Sequence, residues 1–75
     1  MARLRVLSGR EACRILAANG FVEVRRRGSH IAMQKADADG TLTVPVPDHR
    51  ELRVGTLMSI IRQSGLPRSE FEVGA

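Results

Sequence analysis

Residues 21–35 read Phe21-Val22-Glu23-Val24-Arg25-Arg26-Arg27-Gly28-Ser29-His30-Ile31-Ala32-Met33-Gln34-Lys35. Two runs with strand-like alternation flank the dipeptide Gly28-Ser29. A two-residue loop with Gly first is what a type II′ hairpin turn requires. Such a loop also sets the pairing. Arg27 is expected opposite His30, Arg26 opposite Ile31, Arg25 opposite Ala32, Val24 opposite Met33 and Glu23 opposite Gln34. Because side chains alternate between faces, Val22, Val24, Ile31 and Met33 then share an apolar face. Glu23, Arg25, Arg27, His30, Ala32 and Gln34 share a polar one. That both strands sort consistently supports the register.

The flanking segments complete an architecture. Ahead of the hairpin, Ser8-Gly9-Arg10-Glu11 matches a capping box. Ala12, Cys13, Ile15, Leu16 and Ala17 follow at helical spacing, and Asn19-Gly20 suits a helix end. A helix is expected over 9–19. After the hairpin, 36–40 reads as a turn, and 41–46 as a third strand with Leu42, Val44 and Val46 on one face. Pro45 cannot donate to a ladder, which places this strand at an edge. Residues 47–52 read as a loop. Val54, Leu57, Met58 and Ile61 form a helical stripe over 54–64, closed by Gly65 and Pro67, with a loose turn expected over 68–73 through Phe71. The order α-β-β-β-α is an α+β fold, with two helices on one face of a three-stranded antiparallel sheet and the other face open.

Length and composition limit what such a fold can do. The chain has 75 residues, enough for one domain, read here as a core of about 8–66 with a short basic lead over 1–7 and a short tail over 67–75. A chain of this size buries only about 60% of its unfolded surface. Phe21 and Phe71 are the only aromatics among Phe, Tyr and Trp, so the core must be aliphatic. The same scarcity argues against base stacking on aromatic platforms. The formal net charge is +4. It is uneven: residues 1–35 hold eight of the cations and only Glu11 and Glu23, whereas 36–75 are net acidic. All cations but Lys35 are arginine, whose planar fork suits phosphate and carboxylate. A polyanionic partner, RNA or DNA first, is one reading, and a soluble domain that is simply basic is the other. Cys13 has no second cysteine to pair with, which fits a reducing compartment. The longest apolar run, Ile15 to Ala18, is far too short to cross a bilayer. A cytoplasmic location is expected.

His30 is the residue with most chemical content. The register puts one imidazole beside Arg27 and diagonal to Arg25. Two guanidinium groups could hold a phosphate and stabilise its developing charge. The imidazole could move a proton to or from the 2′-hydroxyl or the leaving 5′-oxygen of RNA. No metal is required for that, since RNA carries its own nucleophile. Spacing alone equally allows a plain surface histidine at a hairpin. Gly28 and Ser29 could lend backbone N–H groups to a phosphate or serve only as the turn. His49, in Pro47-Asp48-His49-Arg50, is either a second polar contact for RNA or a solvated loop residue. Alternation sends Arg26 to the helix side, its stem over helix 1 and its head at the rim. Cys13 reads as a small core residue. Gly55-Thr56 reads as close packing and helix initiation rather than an anion site. Two histidines and one helical cysteine lack zinc-ligand spacing, and no cofactor motif is present.

Five blocks in order carry a family resemblance. They are Asn19-Gly20-Phe21-Val22, Arg27-Gly28-Ser29-His30, Thr43-Val44-Pro45, Glu51-Leu52-Arg53-Val54-Gly55-Thr56-Leu57, and Ile60-Ile61-Arg62-Gln63-Ser64-Gly65-Leu66. Over about residues 8–71 the chain resembles the HicA, or YcfA-like, mRNA interferase toxins of bacterial type II toxin–antitoxin systems. The resemblance implies a double-stranded-RNA-binding-domain-like (dsRBD-like) fold. It implies an endoribonuclease that cleaves mRNA and arrests translation. It places the catalytic histidine at His30. Read from the residues themselves, Arg25, Arg27, Gly28, Ser29, His49 and Arg53 are the RNA- or phosphate-binding candidates. The resemblance also implies a HicB-like antitoxin that covers the active surface, with operator DNA met only through the toxin–antitoxin complex. Ile31 stands where many members carry a second histidine or a large polar residue. Two other readings fit the same chain: a non-catalytic dsRBD-like RNA-binding module, and a partner-binding subunit inactive alone.

Overall fold

The computed structural model describes residues 3–73. The outermost residues of the expected lead and tail, 1–2 and 74–75, lie outside the described residues. Among those described, the order is α1 (Gly9–Ala18), β1 (Val22–Arg27), β2 (His30–Asp37), β3 (Gly40–Pro47), α2 (Val54–Ser64) and a 3-10 turn (Arg68–Phe71). This is the expected α-β-β-β-α order of the α+β, dsRBD-like fold.

Helix α1 begins as the sequence foretells. The Ser8 hydroxyl accepts from the Glu11 N–H at 3.1 Å, and the Glu11 carboxylate accepts from the Ser8 N–H at 2.8 Å. Its end is a Schellman motif. Gly20 adopts a φ of 94°, its N–H reaches the Ala17 carbonyl, and the Phe21 N–H reaches that of Leu16. The motif throws Phe21 onto Leu16, and both are buried. One helix end thus turns the chain and starts the core.

The strands form one antiparallel sheet in the order β1-β2-β3. β2 and β3 pair without interruption from His30 opposite Pro47 to Asp37 opposite Gly40. The connection is therefore the two residues Ala38-Asp39, tighter than the five-residue turn expected. β3 is an edge strand, as Pro45 requires. Val44 and Val46 are fully buried, and Leu42 packs against the core.

The β1–β2 pairing starts as expected, with Arg27, Arg26 and Arg25 opposite His30, Ile31 and Ala32. It then departs. A bulge between Glu23 and Arg25 leaves Val24 as an extra residue, so Glu23 pairs with Met33 and Val22 with Gln34. Beyond the bulge the faces are exchanged. Val22 (60% exposed) stands on the open side, Val24 is 47% exposed, and Glu23 shares the helix side with Met33. Of the expected apolar set, only Ile31 and Met33 are core residues.

α2 has the expected span, and Gly65 ends it at a φ of 71°. Its buried stripe is Leu57, Ile60, Ile61 and Ser64. This is the same i, i+3, i+4, i+7 pattern as the expected one, rotated so that Val54 and Met58 face outward. Buried Ser64 is satisfied: its hydroxyl donates to the Ile61 carbonyl at 2.8 Å and accepts from the Leu66 N–H at 3.1 Å. The core also reaches past 8–66 at both ends. Leu7 and Phe71 are buried, and the Arg5 N–H donates to the Phe71 carbonyl while the Val73 N–H donates to that of Arg3. In a core with two aromatics, Phe71 closes the end that the helices leave open; burying such a side chain is worth about 1.5–3 kcal/mol.

Candidate functional site

The open sheet face is held at one end by the β1–β2 turn. Gly28 has a φ of 59°, and no described non-glycine residue has a positive φ, the sign pattern of a type II′ turn. His30 follows the turn directly. Arg27 lies opposite it, and Arg25, two residues back, lies opposite Ala32. These three side chains border one hollow of about 280 Å³, whose remaining lining is Ile31, Ala32 and Pro45. Ala32 and Pro45 are cross-strand partners. Both are small, so the floor is low and the long arginine side chains reach over it. His30, Arg25 and Arg27 are exposed. Open access suits a polymer chain laid across the face better than a small enclosed ligand.

Arg26 points the other way, as alternation requires, and is already occupied. Its guanidinium donates to the Asp48 carboxylate, with Arg10 3.7 Å from the same oxygen. The hydrogen bond from Arg26 holds the Asp48 carboxyl below its ordinary value, and the charges of Arg10 and Arg26 add to the effect. The Asp48 N–H donates to the Ser29 carbonyl at 2.5 Å. Asp48 thus ties the turn before His30 to the end of β3, and through Arg10 to α1. The tie is tightened at Gly9, whose N–H reaches the His49 carbonyl at 2.8 Å. A Cβ built on Gly9 would stand 1.9 Å from the Pro47 carbonyl oxygen. Neither role was legible beforehand: Asp48 bonds across 22 residues, and the only sign at Gly9 was a glycine inside a first helical turn, where propensity disfavours it. Gly55, by contrast, was expected to be the close-packed glycine, yet a Cβ there would meet nothing within 4 Å.

The other expected site residues are dispersed. Gly28 and Ser29 form the turn but do not line the His30 hollow. His49 is exposed and borders a different hollow, with Ser8, Arg10, Glu11, Arg14, Asp48 and Arg50. Arg53 is exposed at the N-cap of α2 and makes no side-chain cap bond. The structure therefore brings His30, Arg25 and Arg27 together and leaves His49 and Arg53 outside that group.

A hollow of about 390 Å³ lies between α1 and β1 and includes Cys13, Phe21, Glu23 and Met33 but no histidine. Burial pushes the Cys13 thiol up, with Glu23 and Asp48 acting in the same direction. A raised pKa leaves little thiolate at neutral pH, the opposite of an activated nucleophile. Among the described residues there is no group of three or more His, Cys, Asp or Glu that could hold a metal ion. No described helix is long and apolar enough to cross a membrane.

No curated protein matches this sequence. A family model does, the HicA toxin of bacterial toxin–antitoxin systems, over residues 9–66. The match runs from the first residue of α1 to just past the glycine that ends α2, and so takes in both helices, the whole sheet and the His30 hollow. On that span, the chain belongs to the HicA toxin family.

Proposed function

We propose that this single-domain chain is a metal-independent endoribonuclease, the mRNA-cleaving toxin of a type II toxin–antitoxin pair, acting in the cytoplasm. The observation that carries the reading is the meeting of His30 with Arg25 and Arg27 over one open hollow, in a member of a toxin family. The reaction is in-line displacement at phosphorus. The RNA 2′-oxygen forms a bond to phosphorus, the bond to the 5′-oxygen breaks, and the products are a cyclic phosphate and a free 5′-hydroxyl. His30 serves as the general acid or base. In its neutral form it takes the 2′-hydroxyl proton, and in its charged form it gives a proton to the 5′-oxygen. Arg25 and Arg27 bind the non-bridging oxygens, where charge grows in the transition state. Gly28 and Ser29 shape the turn at which the strand enters, and Arg53 contacts its backbone farther out. A HicB-like antitoxin neutralises the toxin by covering the open face, and the pair together meets operator DNA.

The test is RNA cleavage in EDTA by the wild type and by His30→Ala, with circular dichroism as the check on folding. Cleavage by the wild type alone is expected, with a loss of about 10²–10⁴-fold in the variant. A folded His30→Ala protein that cuts like the wild type removes His30 from the chemistry. If neither cuts but both bind RNA with steep salt dependence, the chain is a non-catalytic RNA-binding module.

A further inference from the structure

The hollow beside the α1 N-terminus is not used by the reaction. It is bordered by Arg10, Arg14, His49 and Arg50, with the two acids Glu11 and Asp48. Both acids are engaged: Glu11 accepts from the Ser8 N–H at 2.8 Å, and Asp48 accepts from Arg26. Counting Arg26, four guanidinium groups surround two carboxylates, so the patch stays cationic. Arg14 and Arg50 have no salt-bridge partner among the described residues, and both are exposed.

This hollow and the His30 hollow lie on either side of one ridge. Asp48 borders the first and Pro45 the second. Three residues of extended chain separate them, about 10 Å, and the Asp48–Ser29 hydrogen bond joins the ridge to the hairpin turn. The His30 hollow is on the open sheet face; the other is on the helix side, around the end of the sheet. Whatever occupies both must bend over the turn.

We propose that the hollow of Arg14, His49 and Arg50 holds a second phosphate of the same RNA strand, a few nucleotides from the phosphate at His30. The inference rests on the ribonuclease reading for the identity of the strand. It also sets the substrate form. A flexible single strand can wrap over the Gly28-Ser29 turn, whereas a stiff duplex cannot occupy both sides of the sheet end.

The test uses an all-2′-deoxy decanucleotide, which lacks the internal nucleophile and so reports binding alone, titrated against salt. The variants are Arg14→Gln/Arg50→Gln and, as a control with the same charge change elsewhere, Arg62→Gln/Arg68→Gln. The site variant is expected to bind more weakly than the control and to show a slope of log affinity against log salt shallower by about 0.7 for the single-strand phosphate lost. The single strand is expected to bind more tightly than a duplex of the same sequence. Equal slopes in the two variants overturn the second site, and tighter binding of the duplex overturns the wrapped path. Neither result touches cleavage. Conversely, a folded His30→Ala protein that still cuts like the wild type would overturn the assignment of His30 while leaving the salt slope to report on this hollow.

Discussion

β1 and β3 flank the same central strand but spend their residues differently. β3 pairs with β2 over its full length and buries Val44 and Val46 completely. β1 is exposed at all six residues, carries three consecutive arginines, and is broken by a bulge at Val24. Packing explains the contrast. α2 lies against β3, whereas α1 meets β1 at few points, so only one edge of the sheet is sealed. The strand that seals the core and the strand that presents Arg25 and Arg27 to the open face are thus different strands, and substitutions in one should leave the property of the other in place.

The largest effect expected is at the sealed edge. Val44→Asp puts a charge into a fully buried position and should cost more than about 4 kcal/mol, leaving no folded protein by circular dichroism. The corresponding change in the open strand, Val24→Asp, should stay within about 0.5 kcal/mol in a denaturant titration. A large loss of stability from Val24→Asp breaks the division of roles. Next is Gly9→Ala, where the new methyl meets the Pro47 carbonyl oxygen. Relief requires α1 and the end of β3 to move apart, at a cost of about 1–3 kcal/mol, read as a Tm lower by about 4–8 °C per kcal/mol. Because that contact also braces the His30 turn, cleavage should fall further than stability predicts.

Within β1, Arg27→Gln is expected to lower RNA cleavage by about tenfold or more with Tm unchanged. Arg26→Gln should do the reverse, shifting Tm slightly and cleavage less, because Arg26 is bonded to Asp48 and turned from the open face. Equal losses of cleavage would mean that the arginine run acts as an undifferentiated charge. The smallest effect concerns acid. The folded-state pKa of Asp48 is depressed by Arg26. Its contribution to stability is therefore fully present above the ordinary value of 3.8 and is lost as pH falls through the lowered one. Asp48→Asn should remove this part of the acid limb of the stability profile below pH 3.8 and leave in place the part set by Glu11, whose carboxyl the Ser8 backbone hydrogen bond also holds below its ordinary value.

How far each region could be read in advance follows from the range of the interactions that build it. The capping box at Ser8, the left-handed glycines at 20 and 65, the Gly28-Ser29 turn and the edge placement of Pro45 all depend on neighbours a few residues away, and all appear where expected. The turn also set three β1–β2 pairs, enough to place Arg25 and Arg27 on the face of His30. The pairing went astray only where a bulge intervened. Alternation carried Val22 and Val24 inward on paper, because a bulge leaves no mark in a run of valine and glutamate. The α2 stripe had two rotations of nearly equal apolar content, and the choice between them depended on what β3 presents.

The sequence by itself determined the order of elements, the hairpin that carries His30 and the separation of Arg26 from its two neighbours, because local geometry along the chain settles each of them. Tertiary structure alone decided which hollow His49 joins, that Asp48 clamps the turn, that Gly9 must be glycine, and which face Glu23 takes. Each of these rests on contact between segments distant in sequence, whose mutual placement comes from packing one small core and not from any spacing along the chain.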